Sequence, residues 1–321
     1  MSEAPPEILL LKTMHPLVEA AFEARFTVHR LAGIADPQAK LAEIGPRIRG
    51  LCVGGQVDAA LMDKLPKLEL IANFGVGYDG VDAAEAHRRG IVVTNTPDVL
   101  TDEVADLAVG LVLATVRRLP QADRYLRAGH WPKAPFPLTA SLRGRRVGIL
   151  GLGRIGQAIA HRLESFGVTI DYHGRSRKAG IAYTYHDSLI AMARAVHILI
   201  VVAPGGDDTR KLVNAPVLEA LGPEGILINV ARGSLVDEAA LIAALQAGTI
   251  LGAGLDVFEN EPHVPAELAA LDNTVLLPHV GSASEHTRTA MAQLVVDNVL
   301  SWFEGRGPLT PVTETPWSPP A

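Results

Sequence analysis

Short apolar runs alternate with stretches of helical period along nearly the whole chain, the pattern of parallel sheets built from strand–helix–strand units. Ile8 to Leu11, Leu51 to Val53, Leu70 to Asn73 and Ile91 to Thr94 read as buried strands, with a helix over Val81 to Arg89 that Gly90 stops. A long helix is predicted from Thr101, with Asp102 and Glu103 in its first turn, where negative charge suits the helix dipole. It runs through Leu107, Leu111 and Val112 and ends before Pro120. Residues 128–141, AGHWPKAPFPLTAS, carry three prolines and no period, so they read as an exposed loop or arm. A second set of strands is expected at Arg146 to Leu150, Val168 to Tyr172, His197 to Val202, Ile226 to Val230, Leu251 to Leu255 and Thr274 to Leu277. A last helix, Ser284 to Trp302, presents Met291, Leu294, Val295, Val299 and Trp302 on one side, and Gly305 stops it. The proline-rich tail after Pro308 is expected to add little to the core.

Composition narrows the class. A chain of 321 residues is long enough for two domains, and 48% apolar residues supply sizeable cores. The net charge of −6 argues against a protein that coats nucleic acid. The single cysteine, Cys52, has no internal disulfide partner, and no Cys/His cluster has zinc-ligand spacing, so no metal is expected. The N-terminus MSEAPPEILLLK lacks the basic start of a signal peptide. Leu107 to Val116, the longest apolar stretch, is about half the length needed to span a bilayer. These features predict a cytoplasmic protein with no membrane and no nucleic-acid partner.

Gly151-Leu152-Gly153-Arg154-Ile155-Gly156 directly follows the apolar strand RVGIL and opens a predicted helix, Ile155 to Phe166. In that context a G-x-G-x-x-G turn points to a dinucleotide. Gly151 permits the tight turn, Gly153 lets the backbone approach a pyrophosphate, and Gly156 allows helix and strand to pack closely. The helix N-terminus offers unpaired N–H groups to the phosphates. The bland reading is an ordinary glycine-rich turn.

The following strand, VTIDYHGRSRK, bears on which dinucleotide. An NAD site places an acid near its end to accept from the ribose 2′-OH, but Gly174 stands there, 18 residues past Gly156. Asp171 comes too early, inside the strand. Arg175, Ser176 and Arg177 follow, and two guanidiniums with a hydroxyl suit a 2′-phosphate, which favours NADPH over a more weakly held NADH. The competing reading is a solvated basic turn.

Three later residues suggest a reaction. Arg232 follows the strand ILINVA, Glu261 stands in FENEP, and His279 follows TVLL and Pro278. Singly, each has a plain alternative: a surface arginine, a solvated turn acid, a core histidine.

NVARG, GLDVFENEP and LLPHVGSAS, together with GLGRIG, resemble the D-isomer-specific 2-hydroxyacid dehydrogenase family, as do FGVGYDGVDA and TNTPDVLTDEVADLAVGLVLA. The resemblance runs from about Asn73 to Asn298, and the missing acid with the GRSRK turn looks most like its NADPH-dependent glyoxylate/hydroxypyruvate reductases. One departure is Pro204-Gly205-Gly206, where a bulkier residue usually follows the proline.

The resemblance implies two doubly wound, parallel-sheet (Rossmann-like) α/β domains with a cleft between them. Residues 1–99 with 287–321 would form a discontinuous substrate-binding domain and 100–286 the dinucleotide-binding domain. It also implies roles. Arg232 would hold the substrate carboxylate and polarise the keto carbonyl. His279 would donate the proton, imidazole ordinarily titrating near neutrality, and Glu261 would fix the ring and favour its charged form. The Gly75-Val76-Gly77 turn offers the N–H groups of Val76 and Gly77 to the substrate, or else is shaped only for the chain's path. Thr101 and Asp256 would lie near the nicotinamide, and Arg154, Ile155, Ala203 and Pro204 would join the cofactor site.

The main expectation is therefore an NADPH-dependent reductase of small 2-keto acids (glyoxylate and hydroxypyruvate), acting as a homodimer, with an arm around Trp131 to Pro137 that could reach a neighbouring subunit. The alternatives are a reductase of larger acids such as 2-ketogluconate or phenylpyruvate, and a non-enzymatic dinucleotide-sensing interaction protein.

Overall fold

Each of the apolar runs read as a strand forms one. In the computed structural model, which describes residues 4–319, the strands lie in two parallel sheets. The chain divides into two units, Met1–Leu100 with Ser284–Ala321, and Thr101–Ala283. The boundaries differ by up to three residues from those expected, because the last helix, Glu285–Phe303, belongs whole to the first unit. Residues 1–3 and 320–321, the ends of the N-terminal segment and of the tail, lie outside the described residues.

The first unit holds β1 (Glu7–Leu10), β2 (Thr27–Arg30), β3 (Ile48–Val53), β4 (Leu70–Asn73) and β5 (Val92–Thr94), in the order β2-β1-β3-β4-β5. Successive side chains on a strand point to opposite faces, and here both faces are buried. Leu9, Leu51, Val53, Ile71 and Val93 belong to one core cluster. Ile8, Leu10, Cys52, Leu70, Ala72 and Val92 pack in another, with Val295, Val296 and Val299 of the helix Glu285–Phe303. This explains continuous apolar runs instead of alternation. Cys52 is a core residue whose thiol burial pushes up to about 12.

The second unit holds β6 (Arg146–Leu150), β7 (Thr169–His173), β8 (Thr184–His186), β9 (Ile198–Val201), β10 (Ile226–Asn229), β11 (Gly252–Leu255) and β12 (Thr274–Leu276). Their order is β12-β11-β10-β9-β6-β7-β8, the dinucleotide-binding order with a seventh strand added. The winding reverses between β6 and β9, and ligands of such sheets bind outside the carboxyl ends of the strands at that reversal.

Three features depart from the sequence reading. The strands β2 and β8 sit at sheet edges and carry His29, Arg30, Thr184 and His186, so they show no apolar run. A helix, Leu119–Arg127, contains Pro120 in its first turn, where a proline is tolerated. The tail does contribute to the core. Pro311 pairs antiparallel with Thr94, Val312 N–H donates to the Val93 carbonyl at 2.9 Å, and Val312 is 4% exposed. The Thr315 hydroxyl accepts from Val93 N–H at 2.9 Å, so the tail covers the edge of β5. Prolines do not prevent this on a sheet edge. Residues 128–141 carry no helix or strand, as expected of the arm.

Candidate active site

The turn after β6 treats its three glycines differently. Gly151 has φ 98°, and a Cβ there would stand 2.6 Å from the Ala203 backbone. On Gly156 a Cβ would stand 2.3 Å from the Gly151 carbonyl oxygen. Gly153 has open space around it, and the helix it precedes, Arg154–Glu164, has no side-chain cap on its first N–H groups. Two glycines are thus needed for packing, while the third leaves a gap beside uncapped donors that fits a pyrophosphate. Arg154 is exposed and Ile155 half-buried in the first helical turn. Ala203 packs against Gly151, and Pro204 is exposed, its carbonyl accepting from the Thr209 hydroxyl at 2.8 Å. The Gly205-Gly206 pair leads into the short turn Asp207–Thr209, with Gly206 at φ 144°.

Gly174 directly follows β7, and a Cβ there would meet nothing within 4 Å. Arg175, Ser176 and Arg177 are exposed, and neither guanidinium has an ion-pair partner among the described residues. Asp171 is fully buried, held by Arg146 at 2.8 Å and His186 at 2.7 Å, and is no ribose ligand. The residues after β7 thus fit a 2′-phosphate better than a free 2′-hydroxyl.

The neighbouring strands β10, β11 and β12 run on into Arg232, Asp256 and His279 respectively. Buried Asn229 shapes the first of these turns, donating to the Arg232 carbonyl at 2.9 Å and accepting from Ala231 N–H at 3.0 Å. A Cβ on Gly233 would stand 1.8 Å from the Phe258 carbonyl carbon, so only glycine lets the Arg232 turn press onto the segment that carries Glu261. The Arg232 Nη1 donates to the Ala231 carbonyl at 2.8 Å.

Glu261 and His279 meet directly, Oε2 to Nδ1 at 2.7 Å. The other Glu261 oxygen accepts the Phe258 N–H at 3.1 Å. Burial alone would raise the Glu261 carboxyl, but the bonds from His279 and Phe258, with the charge of Arg232, hold it below the usual carboxylate value. His279 has φ 53°, sparsely populated for a residue with a Cβ, as often happens at functional sites. Asp256, 1% exposed, fixes the backbone beyond it, accepting from Val280 N–H at 2.7 Å and Gly281 N–H at 2.8 Å. Burial raises the Asp256 carboxyl above its ordinary value despite those two bonds. Asp256 thus supports the His279 loop, a structural task that the resemblance alone did not suggest. Thr101 opens the helix Thr101–Val116, and Val104 in its first turn lies 3.6 Å from the Cβ position on Gly281.

The Gly75-Val76-Gly77 turn belongs to the first unit. Its carbonyls are all occupied. Asn73 Nδ2 donates to Gly75 and Gly77 at 3.1 Å each, Asn95 Nδ2 to Val76 at 2.8 Å, and Thr96 N–H to Gly75 at 2.9 Å. The N–H groups of Val76 and Gly77 find no acceptor among the described residues. Successive N–H groups left in this way form an anion-binding concavity. The sequence reading missed Asn73 and Asn95, although an asparagine two residues before a glycine-rich turn is a known local signal. Among the described residues no group of three or more His, Cys, Asp or Glu could hold a metal.

A family model described as D-isomer specific 2-hydroxyacid dehydrogenase, NAD binding domain, matches residues 109–281. A hydroxyphenylpyruvate reductase from Plectranthus scutellarioides is 47% identical over 308 residues, covering 95% of this chain and 98% of that protein. Glyoxylate/hydroxypyruvate reductase A from Arabidopsis thaliana is 46% identical over 307 residues, with 95% and 98% covered. Among solved structures, an NADPH-dependent glyoxylate/hydroxypyruvate reductase from Sinorhizobium meliloti, in complex with NADP and malonate, is 54% identical. It superposes with a TM-score of 0.92, covering 99% of this chain and 100% of that one.

Proposed function

The chain belongs to the D-isomer specific 2-hydroxyacid dehydrogenase family, and from that premise we propose that it reduces small 2-keto acids, glyoxylate and hydroxypyruvate, to D-2-hydroxy acids with NADPH. The observation that carries the reading is the Glu261–His279 pair at 2.7 Å. With Nδ1 committed to the carboxylate, the ring keeps Nε2 to give a proton to the forming alkoxide. Arg232 binds the substrate carboxylate and polarises the adjacent carbonyl through its fork of donors. Val76 and Gly77 of the first unit offer N–H groups suited to a carboxylate. Asp256 keeps the His279 loop in place.

NADPH, when bound, supplies the hydride. The turn Gly151–Gly156 and the first N–H groups of the helix Arg154–Glu164 hold its pyrophosphate, with Ala203 and Pro204 alongside. Arg175, Ser176 and Arg177 take the 2′-phosphate, and Thr101 and Asp256 border the nicotinamide. Oxidation of NADPH with glyoxylate, hydroxypyruvate and hydroxyphenylpyruvate as substrates tests this reading. Turnover with the two small acids supports it. Turnover with hydroxyphenylpyruvate alone moves the protein to the larger acids, a second reading favoured by the Plectranthus relative. Absence of turnover with all three leaves the interaction-protein reading.

The working form is a cytoplasmic homodimer. Leu119, Leu126, Trp131 and Leu138 of the second unit are exposed, an apolar set that a second copy would cover. Arm residues Leu138, Thr139 and Ala140 also line a cavity of about 480 Å³ with Arg118, Gln121 and Leu251. Light scattering should give a dimer mass, and Leu138→Glu should shift it toward the monomer.

A further inference from the structure

Residues 174–183 carry the chain from β7 to the parallel strand β8 without a helix, and this short crossover bears the whole candidate 2′-phosphate site. Two tyrosines that the proposed reaction does not use bracket it. Tyr172 on β7 and Tyr185 on β8 are register partners, with ring centroids 5.3 Å apart. Tyr172 is 1% exposed, and its hydroxyl accepts the Lys178 N–H at 2.9 Å. The Tyr185 hydroxyl donates to the Gly174 carbonyl at 3.3 Å. Gly174 and Lys178 are the two feet of the arch that displays Arg175, Ser176 and Arg177, so each foot is tied to one ring. Further along the crossover the Tyr183 hydroxyl donates to Glu164 at 2.8 Å, and His173 Nδ1 donates to the His186 carbonyl at 2.8 Å.

The arch carries two exposed cations two positions apart, whose repulsion a free loop would relax by spreading. Fixing its backbone beforehand removes the ordering cost that a phosphate would otherwise meet on binding. We propose that Tyr172 and Tyr185 are positioning residues for the cofactor's 2′-phosphate. They hold the arch Gly174–Lys178 ready for that group and so set the preference for NADPH without touching the cofactor. The proposal rests on the reading that Arg175 and Arg177 meet the 2′-phosphate.

The test is a cycle of variants in the full chain: Tyr172→Phe and Tyr185→Phe, each alone and in an Arg175→Ala/Arg177→Ala background. Binding of 2′,5′-ADP and of AMP is measured by calorimetry, with thermal melts as a check on folding. Each Tyr→Phe change should weaken 2′,5′-ADP about three- to tenfold, the effect of one lost hydrogen bond, and leave AMP unchanged. In the arginine-free background the same change should have no further effect, because it acts through the arginines. Equal weakening of both nucleotides, no weakening, or the same loss without the arginines would overturn the proposal. If Tyr172→Phe melts out, Tyr185→Phe at its less buried position decides the question alone. Should Arg175→Ala/Arg177→Ala leave 2′,5′-ADP binding intact, the underlying reading of the arginines fails, whatever the tyrosines do.

Discussion

Glu261 Oε2 stands 2.7 Å from Nδ1 of His279, and the same carboxylate takes the Phe258 N–H on its other oxygen at 3.1 Å. The imidazole is oriented by a group that is itself fixed, which is what a proton donor in a hydride-transfer enzyme requires. His279→Gln should therefore lower the reduction rate about 10²- to 10⁴-fold and leave NADPH binding nearly unchanged. Near-normal turnover in that variant would remove His279 from the mechanism.

The same pair gives a pH prediction. Glu261→Gln removes the negative charge and the fixed acceptor beside the ring, so the stability that the carboxylate adds becomes the readout. Burial would raise the Glu261 carboxyl, but its bonds from His279 and Phe258 leave it depressed. A depressed acid adds stability above its ordinary pKa and loses it as pH falls through the folded value. Thermal melts should accordingly show the native chain's advantage over Glu261→Gln shrinking in the acid range. A constant difference between them at all pH values would contradict the pairing.

Arg232→Lys keeps the charge but loses the planar fork. The loss of one charge-assisted bond predicts a fall of about ten- to hundredfold in kcat/KM for the keto acid. Unchanged steady-state constants would place Arg232 outside the substrate site.

The glycine turn separates packing from binding. Gly156→Ala would put a Cβ 2.3 Å from the Gly151 carbonyl and should cost about 1–3 kcal/mol of stability by overpacking. Gly153→Ala meets no neighbour within 4 Å, so it should fold normally and lose cofactor affinity. Melting curves and NADPH titrations of the two variants tell these effects apart. A stable Gly156→Ala or a full-affinity Gly153→Ala would contradict the assignment.

Much of this arrangement was legible in the chain. Strands such as β4, β9 and β10 are buried along their whole length and read as unbroken apolar runs. The glycine turn showed itself by its flanks, and Arg232, Glu261 and His279 by the motifs around them. The edge strands β2 and β8 were not legible, because His29 on β2 and His186 on β8 are satisfied by Glu7 and Asp171, which only the fold brings near. Val312 and Thr315 were hidden among prolines for the same reason: their partner, Val93, is more than two hundred residues away. The tasks of Asn73, Asn95 and Asp256 depend on hydrogen bonds to backbone atoms, which leave no periodicity in the sequence.

Cofactor preference tests the central claim most directly. Gly174 provides no side-chain acceptor for a ribose 2′-hydroxyl, whereas Arg175 and Arg177 stand exposed for a phosphate. The decisive measurement is kcat/KM for NADPH and for NADH at saturating glyoxylate. The expected result is a preference for NADPH of about ten- to hundredfold, expressed in KM more than in kcat because the contact is distant from the hydride. Equal kcat/KM for the two cofactors would contradict the account and return the residues after Gly174 to a solvated basic loop.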